Sequence, residues 1–123
     1  MALVTLATSD EIRPLLKKAA ASKIDPAGKY DIDLMMQSGQ CWKIYENGVI
    51  TGALVTRDDN GELWIMAAAG YSPSDMTEIM ADHLLSISAG YRSIAFQTAR
   101  RGLVKKIKAH GYEIGGYILR KKL

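Results

Sequence analysis

Apolar and polar positions repeat with two different periods along this chain, and the changes of period mark its elements. From Glu62 to Ala69 (Glu-Leu-Trp-Ile-Met-Ala-Ala-Ala) both alternating faces are apolar from Leu63 on. A strand that is apolar on both faces is covered on both, so this run belongs inside a sheet. Gly70 breaks it, and Ser72-Pro73-Ser74-Asp75 reads as a helix start. Ser72 is the expected N-cap, Pro73 fits the first helical position, and Asp75 closes a capping box. Met76, Ile79, Met80, His83, Leu84 and Ile87 then form one helical stripe. Gly90 is placed to end that helix in the left-handed conformation, and Ser93 to Gln97 resumes as a strand. Joints this short predict a right-handed crossover, with the helix over 73–89 linking two parallel strands. The N-terminus of that helix then stands at the end of an interior strand, a setting suited to an anion.

The flanking segments read in the same way. Ala2 to Leu6 is a short strand, and Ser9 caps a helix with Ile12, Leu15, Leu16, Ala19 and Ala20 on one face and Pro14 in its first turns. Ser22 to Tyr30 carries loop signals, and Asp31 to Ser38 is a short helix ending at Gly39. Gln40 to Glu46 and Val49 to Thr56 are strands joined at Asn47-Gly48, and Asp58-Asp59-Asn60-Gly61 turns into the interior strand. Asn-Gly between β-rich runs is a strong hairpin signal. After Arg100-Arg101-Gly102 a helix carries Leu103, Val104 and Ile107 on one side and ends at Gly111. Glu113 to Arg120 is expected to be the last strand, with Gly115-Gly116 allowing a bulge.

Composition narrows the class. A chain of 123 residues, 48% hydrophobic and 24% charged, suits one water-soluble domain with one ordinary core. The N-terminal residues lack the basic flank of a signal peptide, and Cys41 stands alone, which makes the cytoplasm the expected compartment. The net charge of +3 is uneven: residues 100–123 hold eight of the sixteen basic residues and one acid, Glu113. A basic end on a mildly acidic body points to a phosphate-bearing ligand or an acidic protein surface, or it is a solvated helix face. Nucleic acid is disfavoured, since no aromatic residues interleave the Lys/Arg run and no binding motif is present.

Candidate chemistry is sparse. His83 sits on an apolar stripe and reads as a hydrogen-bonded core histidine; His110 falls in the last turn of a helix, where a cation caps. Cys41 beside Trp42 reads as a buried thiol rather than a nucleophile. Met35, Met36, Met66, Met76 and Met80 read as core filler, and no His/Cys/Asp/Glu cluster has metal-ligand spacing.

The order strand, helix, short helix, three-strand meander, helix, strand, helix, strand resembles the GNAT superfamily of acyl-CoA N-acyltransferases over nearly the whole chain. The ending from Thr98-Ala99-Arg100-Arg101-Gly102-Leu103 to Ala109-His110-Gly111-Tyr112-Glu113-Ile114-Gly115-Gly116-Tyr117 looks most like the small GNAT-like proteins of bacteriophages and prophages. The resemblance implies one α+β domain over 1–123, with a mixed, mostly antiparallel sheet holding one parallel pair joined by a crossover helix. It implies acyl-CoA, with acetyl as the simplest acyl group, as co-substrate and direct transfer to an amine, without a metal.

In such proteins pantetheine pairs with the backbone of the fourth strand, here Met66, Ala67, Ala68 and Ala69. The next turn holds the pyrophosphate, here over Gly70, Tyr71, Ser72 and Ser74, and Arg100 and Arg101 are placed to meet the 3′-phosphate. The turn departs from the family's [Q/R]-x-x-G-x-[G/A] pattern: Ser-Pro and Asp75 stand where glycines are expected, and Pro73 offers no amide hydrogen. The family's general-acid tyrosine aligns with Ile107, with Leu103 at its alanine and Arg100 at its asparagine. Tyr71, Tyr112 and Tyr117 are possible substitutes, and Glu62 is a candidate base. Two functions therefore stay open: an acyltransferase, or a catalytically inactive GNAT-shaped protein with a virion-associated or protein-binding role. The corresponding partners are an amine acceptor, a phage or host protein, and a second copy of the chain.

Overall fold

Two Asn-Gly pairs fold the middle of the chain into a meander. Asn47 (φ 53°) and Gly48 (φ 77°), and again Asn60 (φ 53°) and Gly61 (φ 84°), take left-handed backbone. Two consecutive left-handed residues make the tight turn whose twist matches that of the strands it joins. In the computed structural model, which describes residues 2–20, 31–70, 75–98, 100–121 and 123, these turns connect β2 (Gln40–Glu46), β3 (Val49–Asp59) and β4 (Glu62–Gly70). With β1 (Ala2–Leu6) and β5 (Ser93–Phe96) they form one sheet in the order β1-β2-β3-β4-β5. Every neighbouring pair is antiparallel except β4 and β5, which run parallel. The expected mixed sheet with one parallel pair is what forms.

Helices cover both faces. On one lie α1 (Ser9–Ala20) and α2 (Ile32–Ser38), whose Ile12, Leu16, Ile32 and Met36 pack with Cys41, Ala53 and Val55. On the other lies α3 (Met76–Ser86), whose Leu84 is buried with Leu54 and Leu63 among Trp42, Ile65, Met80, Ile87, Tyr91 and Ile94. Asp33 ties the first two helices together, accepting from Arg13 Nε at 2.9 Å and Lys17 Nζ at 3.1 Å. α4 (Arg101–Lys108) comes after β5 and buries no residue fully.

Several details differ from the sequence-based expectation. α1 contains Ser9, and the residue before it is Thr8, whose N–H and hydroxyl both donate to the Glu11 carboxylate (3.0 and 3.2 Å). α3 begins at Met76, so Asp75 is itself the N-cap and accepts from the Glu78 N–H at 3.2 Å. It does not close a capping box; the Ser72, Pro73 and Ser74 assignments, like the loop assigned to Ser22–Tyr30, lie outside the described residues. Of the two α3 stripe residues Ile79 and Leu84, only Leu84 is buried (3% exposed). The strand expected over Glu113–Arg120 is not formed: none of these residues belongs to the sheet, and all are exposed. No helix among the described residues is long and apolar enough to cross a membrane.

Candidate functional site

The parallel pair comes apart halfway along β4. Its register runs from Glu62↔Ser93 to Ile65↔Phe96 and stops there, while β4 continues through Met66, Ala67, Ala68, Ala69 and Gly70 paired only with β3. Among the described residues, the N–H and C=O groups of that stretch which point away from β3 therefore have no strand beside them, an open edge inside the fold. The cause is visible on the other side of β4. Thr56 pairs with Ile65 and Val55 with Ala67, which leaves Met66 as an extra residue, a β-bulge. A bulge bends its strand and sharpens the twist, carrying β4 away from β5. It also exchanges the faces: Leu63 and Ile65 pack on the α3 side, Ala67 and Ala69 on the α1/α2 side.

The end of β4 is fitted to the start of α3. A Cβ on Gly70 would lie 2.7 Å from Met76 Cγ, and one on Gly52 would lie 3.0 Å from Met76 Sδ. The two glycines thus seat Met76, the first residue of α3, against β3 and β4, and hold the helix N-terminus at the mouth of the opening. Asp75, which caps that helix, is also paired with Lys106 Nζ of α4 at 3.0 Å. The Lys106 ammonium, and after it the Glu78 amide, holds the Asp75 carboxyl below the usual carboxylate range. The charge at this helix end is therefore turned into the cap and balanced by a lysine.

The opposite wall is built from β5, α4 and the turn after α4. Arg100 is the N-cap of α4, its N–H donating to Thr98 Oγ1 at 3.1 Å, and Arg100 and Arg101 are exposed. Beyond α4 the chain turns at Gly111 (φ 87°), and Tyr112 sets its ring edge-on to Phe96, 5.8 Å between centroids. Phe96 is the last β5 residue paired with β4, so the Tyr112 ring lies against the residue where the two strands part. Its hydroxyl is buried and has no hydrogen-bond partner among the described residues, and burial pushes its pKa up.

No family model and no curated protein matches the sequence. Solved structures do match in fold. The aminoglycoside N-acetyltransferase AAC(6')-Iy, in complex with a bisubstrate analogue of CoA and acetylneamine, superposes with a TM-score of 0.67 at 16% identity, covering 100% of this chain and 98% of that one. A Bacillus subtilis acetyltransferase in complex with CoA gives 0.69 at 16% identity, covering 94% and 77%. The fold is that of the GNAT acetyltransferases. A GNAT-family acetyltransferase from Streptococcus pneumoniae agrees over 100% of both chains, with a TM-score of 0.65 at 12% identity.

Within that GNAT fold, Met66, Ala67, Ala68, Ala69 and Gly70 lie along the open edge, Arg100 and Arg101 begin the helix after β5, and Tyr112 lies where the strands separate. Tyr71, Ser72 and Ser74 lie outside the described residues. Glu62 stands at the far end of β4, accepting from Ser93 Oγ at 2.7 Å, four residues or about 13 Å along the strand from Met66. Tyr117 is 87% exposed. Ile107, which the sequence pattern puts at the family's tyrosine position, is half-buried on α4. Lys106, Met76 and Phe96 belong to the site although their sequence context does not mark them for it; nothing in a lysine-rich helix distinguishes the one lysine that meets Asp75.

Two other candidates are structural. Cys41 is buried, its Sγ 3.8 Å from the Met36 carbonyl, and burial raises its pKa away from thiolate. His83 packs edge-on against Trp42 at 4.5 Å, but its Nε2 is buried without the expected hydrogen bond among the described residues, and desolvation lowers its pKa. Among the described residues no group of three or more His, Cys, Asp or Glu could hold a metal ion.

Proposed function

We propose that the chain is an acyl-CoA N-acyltransferase, which lays an acyl-CoA along the open edge of β4 and passes the acyl group, acetyl in the simplest case, directly to an amine. The observation that carries this reading is the free backbone edge from Met66 to Gly70, beyond the point where β4 and β5 part. An extended ligand carrying amides can take the place of a missing strand there, and the alanines and glycine leave room for it. The neighbours solved with CoA and with a CoA–aminoglycoside analogue support a thioester donor and an amine acceptor.

In this reading the pyrophosphate meets the turn after Gly70, including Tyr71, Ser72 and Ser74, and Arg100 and Arg101 meet the outer phosphate. Tyr112 is the general acid. Burial keeps its hydroxyl protonated at neutral pH, and the hydroxyl has no competing partner among the described residues. The neutral amine attacks the thioester carbon, the C–S bond breaks, and the thiolate takes the Tyr112 proton. The proton shed by the new amide nitrogen passes to water and restores the phenol. Holding both reactants in one cleft supplies most of the acceleration.

Isothermal titration with acetyl-CoA and with CoA tests the donor, and thiol release with a panel of primary amines tests the transfer. Micromolar binding with amine-dependent thiol release is the expected result. Flat titrations at millimolar ligand, with protein shown to be folded, would sink the proposal. Ile107 favours a second reading, a GNAT-shaped protein that binds a phage or host protein and has lost transfer. That reading gains if both titrations are flat.

A further inference from the structure

We propose that Lys106 is the cation that selects a phosphate-bearing acyl donor, exchanging its partner Asp75 for the pyrophosphate of acyl-CoA as the donor enters the cleft. The exchange presupposes that acyl-CoA binds as proposed, and it assigns one ligand group to one residue. The ion pair joins the two walls of the cleft. Asp75 belongs to the β4 side, because the next residue, Met76, is seated against Gly70 and Gly52. Lys106 stands on α4, the helix that follows β5. Its Nζ lies 3.0 Å from Asp75 Oδ1, at the end of β4 that has left β5. Both side chains are half-exposed, 53% for Lys106 and 43% for Asp75. An exposed pair between flexible side chains is weak, so Lys106 is readily given up to a more highly charged anion.

The helix end needs this cation. An anion at a helix N-terminus is ordinarily held by the free amides of the first turn. Here the Asp75 carboxylate already accepts from the Glu78 N–H at 3.2 Å, and it brings a negative charge to the place where a second anion would lie. The capped end of α3 is thus a poor anion site by itself, and a cation within reach of the same spot reverses the sign. Lys106 is built for the exchange. A helical side chain leans toward the N-terminus of its helix, which carries the Lys106 stem over Gly102, four residues earlier on the same face. Gly102 has open space where a side chain would stand, so the stem can swing without displacing a neighbour. The swing is toward Arg100 and Arg101 at the start of α4. A donor with a pyrophosphate and an outer phosphate engages all three cations, Lys106 at the inner group and the arginines at the outer. A thioester without phosphates gives Lys106 nothing to exchange for.

Calorimetric titration of the full chain with CoA and with dephospho-CoA, which keeps the pyrophosphate and lacks the 3′-phosphate, tests the assignment. Lys106→Met is expected to weaken both ligands by the same factor, about tenfold, and to make binding less sensitive to salt. Lys106→Arg should keep most of the affinity. Lys105→Met, an equal loss of charge one residue away on the same helix, should bind as wild type does. The proposal is overturned, with the acyl-CoA reading intact, if wild type binds and Lys106→Met binds as tightly. It is overturned as well if Lys105→Met weakens binding as much, which would make the effect one of net charge. Equal losses in Lys106→Arg and Lys106→Met would mark a packing role and refute it. So would a lost preference for CoA over dephospho-CoA in Lys106→Met, which would put Lys106 on the outer phosphate. Flat titrations of folded wild type with both ligands overturn this proposal and the acyl-CoA reading together.

Discussion

Leu84→Ala is the sharpest test of how α3 is held on the sheet, and therefore of what fixes its N-terminus at the cleft. Leu84 is 3% exposed and packs with Leu54, Leu63 and their neighbours under the sheet face. Truncation to alanine removes three buried carbons, about 2 kcal/mol of transfer free energy. The residual cavity adds up to roughly 3 kcal/mol depending on how far Met80 and Ile87 relax, for a total loss of about 2–5 kcal/mol. In a domain of this size each kcal/mol is worth about 4 °C, so the midpoint should fall by roughly 8–20 °C. Ile79 supplies the internal control. It lies on the same helix but is half-exposed and outside both buried clusters, so Ile79→Ala should cost only about 1 kcal/mol. Urea melts of both variants measure the difference. If both losses stay below about 1 kcal/mol, or if Ile79→Ala is the more damaging, the helix is rotated from the packing described.

Further predictions concern the site and its titration. Asp75→Asn retains a helix cap but removes the charge and frees Lys106, so acetyl-CoA should bind several-fold tighter by calorimetry; weaker binding would mean that the carboxylate does not oppose the phosphates. Tyr112→Phe should lower kcat by roughly a hundredfold while leaving CoA affinity intact, and an unchanged kcat removes Tyr112 as the acid. His83 has a folded pKa depressed by burial, so the unfolded chain takes up a proton first as pH falls. Stability should therefore decline as pH drops through the ordinary imidazole value of 6.5 and level off below the folded pKa, and His83→Phe should flatten the midpoint between pH 7.5 and 5.5. A wild-type curve as flat as the variant's over that interval would exclude His83 as a neutral core group.

Much of the fold is legible in the sequence because local rules and packing agree. The Asn-Gly turns need left-handed backbone and obtain it, the Asp31 side chain caps α2 by accepting from the Leu34 N–H (3.2 Å), and the apolar run 63–69 is covered by packed helices on both faces of the sheet as its two-sided character demands. The start of α3 is ambiguous in sequence because two signals of the same chemistry compete there: Ser72 with Pro73 and Asp75 each make an acceptable cap. Asp75 is the cap in the structure and gains a second partner, Lys106, from a helix about thirty residues away. The final strand is absent for a different reason. Residues 113–120 have strand composition, but composition does not say which edge receives a strand, and in the single chain no edge does.

The bulge at Met66 shows why the site is harder to read than the fold. In a run of seven apolar residues, shifting the register by one replaces an apolar side chain with another on each face, so the pattern carries no mark of where the extra residue falls. The cleft, however, depends on that single position. With a regular ladder β4 would keep Ile65, Ala67 and Ala69 on one face and stay beside β5. With Met66 inserted, the alanines cross to the α1/α2 side and the backbone beyond Ile65 swings free. The proposed acid is hidden by the same logic. Ile107 occupies the place a family pattern assigns to tyrosine, while Tyr112 reaches the parting of the strands through a ring contact with Phe96, sixteen residues away in the chain. A motif read along the sequence tests one position on one helix. The proposed mechanism asks only for a protonated hydroxyl where the strands part, and an aromatic contact from the turn after α4 can place one there as well as a helical residue can.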